Sequence, residues 1–100
     1  MDSYLYLLRP TRPEMLSAGP TETEAAIVQR HFEYLQRLAA AGSVEIAGRT
    51  TEDNEDTLGI VILHAPSEAA AQAIVDADPA VEAGVMSARL APFRVAVRSG

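Results

Sequence analysis

The chain has 100 residues, 48% of them hydrophobic and 22% charged, which describes one globular domain over residues 1–100 and excludes a disordered chain. A net charge of −6 with no basic cluster excludes the positive footprint of a nucleic-acid binder. No apolar run approaches the roughly 20 residues of a membrane span, and zero cysteines exclude disulfides, thiolate metal sites and cysteine nucleophiles. All eight basic residues are arginine, so a Schiff-base lysine is excluded as well. The start, Met1-Asp2-Ser3-Tyr4, has neither a basic region nor a plausible cleavage site, and predicts a cytoplasmic protein.

In chain order, Ser3 to Leu8 reads as a strand, an aromatic and aliphatic run stopped by Arg9-Pro10. Pro10 to Pro20 holds three prolines and a glycine and predicts a long loop. Thr21 and Glu24 fit a capping box, Gly42 fits a left-handed terminator, and the segment between predicts a helix near 22–41. Its apolar stripe, Ile27, Val28, Phe32, Leu35, Leu38 and Ala39, predicts the buried face of an amphipathic helix. Strands near 44–50 and 58–64 flank the acidic turn Thr51 to Asp56, which lacks the spacing and glycine of a calcium loop and predicts a solvated hairpin tip. His64 closes the third strand as a surface histidine. Ser67 caps a second helix near 67–77, striped by Ala70, Ala71, Ile74 and Val75. Met86 to Val97 predicts a last long strand with Pro92 at a bulge or edge position.

The order β-α-β-β-α-β is that of the ferredoxin-like α+β fold, an antiparallel sheet with both helices on one face. A bare sheet face normally alternates apolar with polar residues. Here SYLYLL, GIVIL and FRVAV carry apolar groups on both sides. The second face therefore needs a cover, and a second copy of the chain packed on it as a homodimer is the expected one.

His31 lies four residues after Ile27 and four before Leu35, so a titratable ring sits in an apolar stripe. Two readings stand: a core histidine bonded to a backbone carbonyl, or a proton carrier in a pocket. The segment Asp76-Ala77-Asp78-Pro79 supplies carboxylates that could orient such a ring. Asp78 followed by Pro79 also reads as the cap of a short helical turn ending at Gly84. With antiparallel helices, Asp78 should lie near the start of the first helix, while His31 is roughly 15 Å along its axis. The segment after Ala77 must fold back for the two to meet.

His31, the Ala47-Gly48 pair closing strand two and the stretch Asp76-Ala77-Asp78-Pro79 through Ala83-Gly84 together resemble the YCII (YciI-like) family over nearly the whole chain. The resemblance implies a dimeric ferredoxin-like α+β barrel with a His–Asp active site, carried onto His31 and Asp78. Related members include a dehydrochlorinase acting on a chlorinated aromatic. Arg49 departs from the pattern, standing where many relatives carry proline, and adds a cation to the expected pocket wall.

There is no P-loop, GxGxxG, HExxH or GxSxG signature, and no cofactor or metal is expected. One functional reading is a small-molecule lyase, isomerase or hydrolase in which His31 moves a proton and Asp78 orients it. Tyr6 and Arg49 would then bind a polar group of an unidentified small ligand, with a core or dimer aromatic as the competing reading of Tyr6. The other is a non-catalytic dimeric module that binds a small ligand or partner and uses the His–Asp pair for structure.

Overall fold

The computed structural model describes residues 2–100. The chain runs β1 (Asp2–Pro10), α1 (Glu14–Ser17), α2 (Glu22–Ala40), β2 (Val44–Arg49), β3 (Gly59–Ala65), α3 (Glu68–Asp76), α4 (Pro79–Glu82) and β4 (Met86–Phe93). The four strands form one antiparallel sheet in the order β2-β3-β1-β4, the ferredoxin-like arrangement expected from the element order. None of the helices among the described residues is long and apolar enough to cross a membrane.

Alternation along β1 decides which face is the core. Tyr4, Tyr6 and Leu8 are buried, and their neighbours in register on β3, Leu63 and Val61, are buried with them. Ala71 and Val75 of α3 and Leu35 of α2 close this core from the helix side. The Tyr34 hydroxyl donates to the Ile74 carbonyl and ties the two long helices together. On the opposite face Leu5 sits across from Ile62 and Ala91, and Leu7 across from Ile60. Ile46 and Ile60 are exposed there, so this face is apolar and uncovered in the single chain.

Helix ends obey their local chemistry. Thr21 Oγ1 accepts from the Glu24 amide at 3.1 Å and the Glu24 carboxylate accepts from the Thr21 amide at 2.8 Å, completing the capping box. At the other end Gly42 has φ 84°, and amides 42 and 43 bond the carbonyls of Ala39 and Leu38, which satisfies carbonyls the helix leaves open. Ser67 caps α3 by accepting from the Ala70 amide.

Three expectations are corrected. Residues 10–20 are not a plain loop, because Glu14–Ser17 forms the short helix α1 with Met15 buried. The last strand stops at Phe93, which pairs with Ser3, so β1 has almost no chain left to extend the ladder. Val95 and Val97 therefore lie beyond the sheet, and Val97 is exposed. Phe32 and Ala39 are also exposed, although they belong to the apolar stripe of α2. Pro92 lies on the edge strand β4, where a missing amide costs no ladder bond on the outer side.

Arg12 ties the α1 segment to α2, donating from Nε to Glu24 Oε2 at 2.9 Å and pairing through Nη2 with Oε1. Arg12 first, and the Thr21 amide second, hold the Glu24 carboxyl down to about 2. A depressed folded value means a contribution that is fully present above the ordinary carboxylate range and lost as the pH falls through about 2. Urea midpoints measured from pH 6 down to pH 2 should thus fall more steeply for the wild type than for Glu24→Gln. Parallel curves would show that Glu24 contributes nothing to acid stability.

Candidate active site

Asp78 is placed by a turn that the local sequence enforces. After α3 the chain passes Ala77, Asp78 takes an extended conformation with φ −63° and ψ 123°, and Pro79 opens α4. Gly84, with φ 74°, ends α4 by the same left-handed arrangement as Gly42, and the amides of Gly84 and Val85 bond the carbonyls of Val81 and Ala80. The short helix packs on α2, which carries Asp78 back from the helix start to the middle of α2. That is the fold-back a His31–Asp78 contact requires.

The carboxylate is fully buried and is held by three donors. Its Oδ1 accepts from the Ala80 amide at 2.9 Å, the helix cap read from the sequence. Its Oδ2 accepts from the Tyr6 hydroxyl at 3.1 Å. His31 Nδ1 lies 2.8 Å from each carboxylate oxygen. Asp78 is both cap and histidine partner. A carboxylate can only accept, so Nδ1 carries the proton and Nε2 is the other functional atom of the ring.

His31 is itself only 5% exposed. Nε2 makes no hydrogen bond to any described residue, yet no buried side-chain nitrogen or oxygen among them lacks a partner. Nε2 is therefore reachable from outside, and what it reaches is a pocket of about 740 Å³ between α1, α2 and β2. Val28, Phe32 and Leu35 of α2 and Met15 of α1 line it together with His31. The helix stripe thus serves two surfaces: Ile27 and Leu35 are buried, while Phe32 and Ala39 are apolar because they face the pocket.

Tyr6, expected beside the ligand, sits one layer further in. It is fully buried and is not among the pocket-lining residues. Burial first, and the Asp78 charge second, push its phenol far above the ordinary range, so it remains a hydrogen-bond donor to Asp78. Arg49 does line the pocket, at the end of β2, with its guanidinium 3.3 Å from Asp53 Oδ1 in the exposed hairpin. The two histidines lie apart. His64 contacts Ser3 Oγ at 3.2 Å and Glu45 Oε1 at 2.9 Å, and Glu45 also takes Arg98. Arg98 first, with His64, holds the Glu45 carboxyl below its usual range.

Met15 and Leu16 of α1 also line the pocket, and the sequence does not mark them as part of a site because the prolines and glycine of residues 10–20 predict a loop. Pro13 followed by Glu14, Met15 and Leu16 was the available signal, a turn-setting proline ahead of three good helix formers.

The domain profile of the YCII-related domain matches residues 4–94, and so takes in both members of the dyad. The chain belongs to the YCII-related family. Among solved structures this YCII-related chain is similar to the 5-chloro-2-hydroxyhydroquinone dehydrochlorinase of Burkholderia phenoliruptrix in complex with 2,5-dihydroxybenzoquinone. The two share 22% identity with a TM-score of 0.65, over 91% of this chain and 93% of the other. At that identity the likeness establishes the fold. No curated protein matches the chain significantly.

Proposed function

We propose that this YCII-related protein is an enzyme acting on a small organic molecule, with His31 as the group that moves a proton and Asp78 as the group that orients and stabilises it. The observation that carries the reading is the placement of Nδ1 on a buried carboxylate while Nε2 opens into an apolar pocket. In this arrangement Nε2 takes a proton from a carbon or hydroxyl of the ligand. The freed electron pair expels a leaving group or shifts a double bond, and the imidazolium is held against Asp78 until its proton returns to product or solvent. Elimination and isomerisation use that step; in hydrolysis Nε2 would instead take the proton of a water whose oxygen attacks the ligand and displaces the leaving group. The structurally similar dehydrochlorinase, whose reaction is an elimination, supports putting elimination first. Tyr6 is a positioning residue here: it fixes Asp78, which fixes the ring.

The test is chloride release from 5-chloro-2-hydroxyhydroquinone and related small chlorinated hydroquinones. Release by the wild type and its loss in His31→Ala is the expected result. Release that survives in His31→Ala overturns the role of the histidine. If no panel member is turned over and none moves the His31 resonances, the non-catalytic reading of the pair takes its place.

We further propose that the protein works as a homodimer joined through the apolar sheet face. Leu5, Leu7 and Ile62 are only half-buried there, beside exposed Ile46 and Ile60. The residue to probe is Ile60, on the sheet, in place of Val95 or Val97, which lie beyond it. Sedimentation at micromolar concentration should give a dimer for the wild type and a folded monomer for Ile60→Asp. A wild-type monomer would contradict the proposal.

A further inference from the structure

The pocket wall carries more chemistry than the dyad uses. Most of its lining is aliphatic or aromatic, and Arg49 is the one arginine among the described lining residues. Arg49 ends β2, across the pocket from α2, so a ligand that reaches both it and His31 spans the space from helix wall to strand wall. The guanidinium already holds a carboxylate, that of Asp53, at 3.3 Å. Both partners of that pair are largely exposed, with side chains 48% and 62% accessible. Exposed pairs of this kind contribute little, so a ligand carboxylate has little to overcome in replacing Asp53.

We propose that the pocket selects an organic monocarboxylate with an apolar body, Arg49 holding the carboxylate and Asp53 acting as a resident competitor that the ligand displaces. Three observations narrow the class. The apolar walls favour a hydrocarbon or aromatic body. A planar guanidinium matches a carboxylate in a two-pronged geometry. Glu52, Asp53, Glu55 and Asp56 lie in the hairpin next to Arg49, in a chain of net charge −6, and repel a doubly charged phosphate far more than a single carboxylate. Asp53 is a stand-in for the ligand group, delivered by the hairpin.

This inference rests on the reading of the pocket as the ligand site, but binding alone tests it, so its failure is separable from a failure of catalysis. Isothermal titration with 2-naphthoate and with its neutral amide, 2-naphthamide, supplies the probe pair. The wild type should bind the carboxylate about tenfold more tightly than the amide, since a charge-assisted contact is replaced by a neutral one. Arg49→Gln should bring the two within about twofold of each other, and Asp53→Asn should tighten the carboxylate by about two- to fivefold, consistent with an exposed competing pair. Both substitutions are at exposed positions, and circular dichroism checks that the variants fold. Equal binding of the two probes by the wild type, a preference that survives Arg49→Gln, or no binding of either at millimolar concentration overturns the proposal.

Discussion

Asp78→Ala should destabilise the protein by about 3–5 kcal/mol, the cost expected when one partner of a buried, hydrogen-bonded pair is removed. Three donors lose their acceptor at once: His31 Nδ1, the Tyr6 hydroxyl and the Ala80 amide. None of them has water as a ready substitute, because Asp78 and Tyr6 are fully buried and His31 nearly so. Asp78→Asn separates the two roles of the residue. Asparagine caps a helix about as well as aspartate, so the bond to the Ala80 amide is retained. Its amide end, however, places N–H donors against either Nδ1–H or the tyrosine hydroxyl, and it carries no charge to stabilise an imidazolium. The expected loss is smaller, about 1–3 kcal/mol for one unsatisfied buried group. Urea unfolding with a common slope measures both values. An Asp78→Ala variant as stable as the wild type would mean that the three contacts are not made in solution.

His31→Ala should lower kcat by about 10²–10⁴-fold on any substrate the protein turns over, the range for loss of a general acid–base group. The Michaelis constant should change little, because the lost interaction belongs to the transition state. A structural histidine would give a different pattern, with activity falling only in proportion to the folded fraction. The double variant His31→Ala with Asp78→Asn sharpens the test. If Asp78 acts through the ring, its substitution costs no further activity once the ring is gone. Multiplicative losses would assign the two residues independent roles.

Much of this was legible before the structure, and the parts that were not have physical reasons. The helix α2 announces itself at both ends, since Thr21, Glu24 and Gly42 each satisfy backbone groups locally and need no tertiary partner. His31 was legible because a polar ring in an apolar stripe must be buried with a partner or face a cavity. Asp78 was legible as a cap, again a local matter. Its contact with the middle of α2 depends on how α4 folds back, and chain order alone argued the other way. The end of β4 was misread because Val95 and Val97 keep strand-like alternation, while a strand exists only where a neighbour remains to pair with. The spacing of the α2 stripe predicts core throughout. An apolar residue facing a pocket cannot be told by its spacing from one facing the interior, and Phe32 is that case. Tyr6 alternates correctly as a core residue of β1, but nothing local shows that its hydroxyl ends on Asp78.

Proton transfer by His31 requires a bare Nε2 facing the pocket while Nδ1–H is held by Asp78. Nitrogen-15 NMR of the imidazole reads this directly, because protonated and unprotonated ring nitrogens resonate far apart. In the neutral ring the protonated nitrogen should be Nδ1, its partner Nε2 should show the signal of an unprotonated nitrogen, and 2-naphthoate bound in the pocket should shift Nε2 more than Nδ1. A ring protonated at Nε2 with Nδ1 bare, or an Nε2 signal unmoved by a ligand that binds in the pocket, would contradict it.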